Sequence, residues 1–137
     1  MNTRTVTVLL VEDDQVDVEL VERAFKNHRI ANPLLVCGDG LAALEMLRAG
    51  QVPRPYIILL DLNMPRMGGL EFLKEVRADP GLSDSVVFVL TTSDDDADRC
   101  QAYRQHIAGY CVKSRVGADF LELTGLLKAY WRVVELP

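Results

Sequence analysis

Five short apolar runs, each followed by an amphipathic stretch of helical length, limit the folds open to this chain more than any other feature. The runs are residues 5–11 (TVTVLLV), 34–37 (LLVC), 56–60 (YIILL), 86–90 (VVFVL) and 109–112 (GYCV). They are rich in β-branched residues and mostly lack polar alternation, as strands covered on both faces do. The helical patterns fall at residues 15–27, 41–49, 69–78, 95–106 and 117–134, many opened by Asp, Ser or Gly. Strands separated by single helices require right-handed crossovers and a parallel sheet. The expectation is an α/β fold: a flavodoxin-like, doubly wound, five-stranded parallel sheet of order 2-1-3-4-5 with five helices.

With 137 residues, 49% of them hydrophobic, the chain reads as a single domain spanning residues 1–137. No apolar stretch reaches the ~18 residues of a membrane span, and the N-terminus shows no cleavage-site pattern, so the expected location is cytoplasmic and not in a membrane. Cys37, Cys100 and Cys111 are odd in number and lack C-x-x-C spacing, which fits reduced packing thiols. A formal charge of -5, with no basic stripe, argues against nucleic acid and favours a metal cation.

In a sheet of this order ligands sit beyond the carboxyl ends of the strands, at the switch point between strands 1 and 3. The first run ends in Glu12-Asp13-Asp14, the third in Asp61, the fourth in Thr91-Thr92-Ser93 and the fifth in Lys113. Each has a plain structural reading: the acidic triplet as helix cap, the Thr/Ser stretch as strand-end and cap chemistry, the lysine as a solvated surface group. Their shared placement at strand C-termini is more specific than any one of them. Crowded carboxylates need a cation between them, and Mg2+ prefers a few carboxylates, a carbonyl and retained waters. Asp61 is the unusual member, because it caps nothing and precedes a loop shaped by Asn63, Met64, Pro65, Gly68 and Gly69. A carboxylate beside a divalent cation, a lysine and a hydroxyl can attack a phosphoryl group, which makes Asp61 a candidate nucleophile.

VLLVEDD, LLDLNMP, VLTTS and GYCVK, in that order and spacing, resemble a response-regulator receiver domain of two-component signalling over nearly the whole chain. The resemblance implies that Asp61 accepts a phosphoryl group from the phosphohistidine of a sensor histidine kinase. Asp13 would bind Mg2+ directly, Glu12 through water, and the Asn63 backbone carbonyl would complete the protein ligands. Thr91 would bond the phosphoryl group, Lys113 would pair with it, and Tyr110 would be an aromatic switch turning inward behind Thr91. Three positions depart from the family pattern. Gly68 stands where aspartate is common, and Thr92 where a small residue is. Ser114 follows Lys113 where a proline usually gives a cis peptide bond, which without proline costs ~3–4 kcal/mol more than trans.

A receiver uses nearly all of these residues, so the expected output is a binding surface. Residues 128–137 (KAYWRVVELP) form a C-terminal extension. Val116, Phe120, Leu123, Leu127, Tyr130 and Val134 make one apolar stripe on the last helix, and Leu126, Trp131 and Val133 lie off it, as an interface between two copies would place them. The alternative is that these groups fold over the domain's own edge. The tail and the TTS and KS variants resemble regulators partnered with bacterial phytochrome-type histidine kinases, which implies such a kinase as partner and a homodimer. Two apolar rows on the first helix, Val16, Leu20, Ala24 and Val18, Val21, Phe25, serve either a kinase or the core. His28 and His106 receive no role.

Three rival functions are weaker. A flavodoxin-like electron carrier needs neutral donors for phosphate where Glu12-Asp13-Asp14 stands. An aspartyl-phosphate phosphatase, a turnover enzyme, wants a second carboxylate two residues after the nucleophile, where Asn63 stands. A non-phosphorylated pseudo-receiver that only binds proteins would not require the complete set of Glu12, Asp13, Asp61, Thr91 and Lys113.

Overall fold

The structure is a computed structural model that describes residues 5–137. Five strands, β1 (Thr7–Val11), β2 (Leu34–Cys37), β3 (Tyr56–Leu60), β4 (Val86–Thr91) and β5 (Gly109–Val112), form one sheet in the order β2-β1-β3-β4-β5. Every pairing is parallel, in registers such as Leu9 with Ile58 and Leu59 with Phe88. The crossovers are α1 (Gln15–Asn27), α2 (Gly40–Arg48), α3 (Gly69–Ala78) and α4 (Asp96–Arg104), and α5 (Leu121–Val133) follows β5. Fold class and strand order are those read from the sequence.

All residues of β1 and β3 are buried, which explains why they do not alternate in polarity. They alternate in destination. Leu9, Val11, Ile58, Leu60, Val87 and Val89 enter one core with α2, α3 and α4, and Val8, Leu10, Ile57, Leu59, Phe88 and Leu90 enter the other with α1 and α5. A two-residue side-chain period thus divides continuous apolar runs between two layers.

Three of the five α-helices begin where short acceptors stand. Asp14, Asp39 and Asp95 cap α1, α2 and α4 by accepting from the N–H groups of Val16, Ala42 and Ala97. On α1, Val18, Val21, Ala24 and Phe25 are buried and Val16 is 64% exposed, so one expected row largely belongs to the core and the other divides between core and solvent. Two links were not legible in the sequence. The Arg77 guanidinium donates to the carbonyls of Ser83, Ser85, Gln105 and His106, joining the end of α3 to the entrances of β4 and β5. His28 Nδ1 lies 2.8 Å from Thr124 Oγ1, joining the end of α1 to α5.

The largest departure from expectation is after β5. In place of one helix over residues 117–134, short 3-10 turns at Lys113–Arg115 and Ala118–Phe120 precede α5. Gly117, Asp119 and Phe120 have φ of 81°, 53° and 58°, and a left-handed backbone cannot continue a right-handed helix. The offset lets Phe120 enter the core beside Val116, Leu123 and Leu127.

The C-terminal reading also needs correction. Leu126 and Val133 are exposed and lie two turns apart on one face, but Trp131 is half-buried against its own domain, so the three do not form one patch centred on the tryptophan. Tyr130 packs edge-on to Phe88, with ring centroids 5.0 Å apart, and Leu136 is buried, so part of residues 128–137 folds back over the domain. Among the described residues no helix is long and apolar enough to cross a membrane.

Candidate functional site

The sheet topology carries β1 and β3 side by side with their carboxyl ends together, which places Glu12 and Asp13 next to Asp61. One carboxylate oxygen from each of Glu12, Asp13 and Asp61 lies within 4.8 Å of the others. Glu12 and Asp61 are buried and Asp13 is exposed, giving two fixed walls and one open side. The acidic triplet divides its work: Asp14 is the helix cap, and its N–H donates to Glu12 Oε1 at 3.1 Å, which orients that carboxylate.

Asp61 is held from below and from the loop. Its backbone N–H donates to Val11 O, and its Oδ1 accepts from the Asn63 N–H at 3.3 Å. Gly69 opens α3 against this backbone. A Cβ there would stand 2.6 Å from Asp61 O and 2.6 Å from Leu62 Cα, so only glycine allows the approach. Arg66 closes the other side of the loop by pairing with Asp39 at 3.2 Å.

Lys113 reaches into the crevice from the end of β5. Its Nζ donates to Glu12 Oε2 at 2.7 Å, Asp17 Oδ2 at 2.7 Å and Asp61 Oδ2 at 3.3 Å. All three ammonium donors are thereby used, and the side chain is only 9% exposed. Among the described residues the one cis peptide bond joins Arg54 to Pro55; Lys113–Ser114 is trans and starts a 3-10 turn.

The charge balance is uneven, with four carboxylates around one ammonium. Burial alone would lower the Lys113 pKa, but its hydrogen bonds to Asp17 and Glu12 outweigh burial and hold it above the usual lysine value. Burial pushes Glu12 up to about 7, against the pull of Lys113 and the Asp14 N–H, and the Asp61 charge adds to the rise. Glu12 therefore tends to keep a proton chiefly because it is buried, with the surplus of carboxylates adding to the effect, while the lysine stays charged. A divalent cation would relieve the same surplus, and an all-oxygen donor set with an open side fits a hard ion of that charge.

Thr91, Tyr110 and Asn63 stand on the neighbouring strands β4 and β5 and in the loop after β3. Thr91 ends β4 fully buried, its Oγ1 accepting from the Ser93 N–H at 3.4 Å. Tyr110 is half-buried, and its hydroxyl donates to Ser93 O at 2.8 Å while Ser93 Oγ donates to Asp98. Asn63 is exposed in the loop after Asp61. Leu126, Trp131 and Val133 lie on α5, away from the crevice.

One member of the site was missed. Asp17 is the third residue of α1 and reads in sequence as an acid complementing a helix N-terminus. Helical side chains lean back toward the N-terminus, so an acid at this position faces the strand ends that the preceding loop leaves.

Comparison with known proteins agrees with this geometry. The family model of the response regulator receiver domain matches residues 8–123. Response regulator Rcp1 from Synechocystis sp. is 38% identical over 135 residues, covering 95% of this chain and 92% of Rcp1. The Mn2+-bound form of Rcp1 superposes with a TM-score of 0.84 at 37% identity, covering 98% of this chain and 99% of that one. The phosphorylated cyanobacterial phytochrome response regulator RcpA superposes with a TM-score of 0.87 at 31% identity, again covering 98% and 99%. The bacteriophytochrome response regulator RtBRR gives 0.77 at 33%, covering 98% of this chain and 85% of its own. Strand order, the acidic crevice at the strand ends and a family match over most of the chain agree, and the chain belongs to the response regulator receiver domains of two-component systems.

Proposed function

We propose that this receiver accepts a phosphoryl group on Asp61 from the phosphohistidine of a sensor histidine kinase, in a Mg2+-dependent reaction, and signals through altered protein contacts. The observation that carries the reading is the setting of Asp61. Its carboxylate is buried, 3.3 Å from the Lys113 ammonium and grouped with the Glu12 and Asp13 carboxylates. In the transfer an Asp61 oxygen forms the new O–P bond as the P–N bond of the donor breaks. The electron pair returns to the imidazole, which takes up a proton.

Asp13, Asp61 and the Asn63 carbonyl would hold Mg2+ directly, with Glu12 acting through water. When bound, the ion supplies charge neutralisation at the phosphoryl oxygens. Lys113 neutralises a further oxygen, and the Thr91 hydroxyl donates to another. Once Thr91 is engaged, Tyr110 leaves the Ser93 carbonyl and turns inward, which changes the surface of α4 and β5. The chain takes one phosphoryl group and loses it again, and is not a turnover enzyme.

The phytochrome regulators among its relatives support a phytochrome-type histidine kinase as partner. A cytoplasmic homodimer that binds neither nucleic acid nor membrane completes the reading, with exposed Leu126 and Val133 on the face offered to the second copy. The test is incubation with a small phosphodonor, with Mg2+ and with a chelator, followed by intact mass. One added phosphate only when Mg2+ is present supports the reading; equal labelling with the chelator rejects the metal dependence.

A further inference from the structure

We infer that Asp17 is a positioning residue for Lys113, tethering the lysine from the first turn of α1 so that its remaining donor points at Asp61. The inference rests on the phosphotransfer reading above and adds a residue to it. Lysine has a flexible four-carbon stem and aims poorly unless something fixes its end. Here two short charge-assisted bonds, 2.7 Å each to Asp17 and Glu12, fix it, and the third and longest, 3.3 Å, goes to Asp61. Glu12 is itself anchored by the Asp14 N–H, and Asp17 is set by the helix that Asp14 caps, so both tethers are rigid.

Lys113 is followed by Ser114 through a trans bond and a short 3-10 turn. Asp17 lies outside the group of carboxylates close enough to share a cation, so it is free to serve the lysine when Glu12, Asp13 and Asp61 face the metal. When Asp61 becomes an acyl phosphate, a phosphoryl oxygen takes the place of the Asp61 oxygen that Lys113 bonds, and Asp17 keeps the ammonium facing it. Preorganisation of this kind lowers the barrier, because the charge needs no rearrangement as the transition state forms.

A structural role, complementing the α1 dipole, predicts the same ion pair but a different outcome. Phosphorylation by a small phosphodonor with Mg2+ is timed by intact mass for wild type, Asp17→Ala, Asp17→Asn, Lys113→Ala and the double variant. Asp17→Ala slows the reaction about tenfold, the loss expected when an orienting contact to a reacting group is removed. Asp17→Asn, which keeps an oxygen acceptor on the same stem, falls between the two. In the Lys113→Ala background Asp17→Ala slows nothing further. A rate in Asp17→Ala at or above wild type, or an equal loss with and without Lys113, overturns the assignment. Failure of the underlying phosphotransfer reading looks different: wild type itself takes up no phosphate.

Discussion

The crevice at the strand ends and the helix that closes the chain are built on different terms. In the crevice, Glu12 and Asp61 are buried near named partners, so their places are over-determined: Glu12 answers to Asp14 and Lys113, and Asp61 to Asn63 and Lys113. On α5, apolar groups can exchange one greasy neighbour for another, and their direction depends on how the preceding backbone turns. Buried charges have few tolerable arrangements, and apolar side chains have many. A region with few arrangements can be read from residue types; a region with many needs the backbone.

If the two regions are separate in this sense, core damage in α5 should cost stability and leave the chemistry alone. Leu127 is fully buried, and Leu127→Ala should lower unfolding free energy by about 3 kcal/mol. Mg2+ affinity below the unfolding transition should stay at the wild-type value; denaturant melts paired with Mg2+ titrations measure both, and a changed affinity breaks the separation.

Gly69 is a packing residue inside the crevice itself, set against the backbone of Asp61. Gly69→Ala should cost about 2 kcal/mol, because the new methyl meets backbone that cannot give way. It should also slow phosphorylation, since relief comes only by moving Asp61 or α3. Stability lost with an unchanged rate would show that α3 gives way instead.

Asp13→Ala should do the opposite of Leu127→Ala. Removing the exposed carboxylate should weaken Mg2+ binding by about tenfold or more, while the melt moves little, because one source of repulsion among the carboxylates is also gone. Calorimetric titration with Mg2+ checks the affinity, and a wild-type value removes Asp13 from the site. The smallest effect belongs to the exposed face of α5. Leu126→Ala should change monomer stability by no more than about 0.5 kcal/mol, yet weaken any dimer formed through that face. Sedimentation over a concentration series reads the second effect, and a wild type that stays monomeric at high micromolar concentration removes the dimer.

The same contrast explains what the sequence disclosed. The strand runs were legible because burial on both faces removes polar residues from them, and Glu12, Asp13, Asp61 and Lys113 because their charges stand where apolar runs stop. Asp14 and Asp17 were less legible, since one acidic residue looks like another until the helix start is fixed; the cap went to Asp14 and the lysine contact to Asp17. The stripe Val116, Phe120, Leu123 and Leu127 enters one core with Tyr130 packed on it, and only Val134 is exposed. The start of the helix was misread, because three left-handed residues at 117–120 delay it to Leu121 and no periodicity reports that. Trp131 was misplaced for a different reason: it lies off the main stripe, but its own domain's edge partly covers it.

The most direct measurement is phosphorylation of wild type and Asp61→Asn by a small phosphodonor with Mg2+, followed by intact mass and by mapping of the modified peptide. The account predicts one phosphate on the wild type, on the peptide that contains Asp61, and none on Asp61→Asn. Equal labelling of the two proteins, or a phosphate mapped to another peptide, would contradict it.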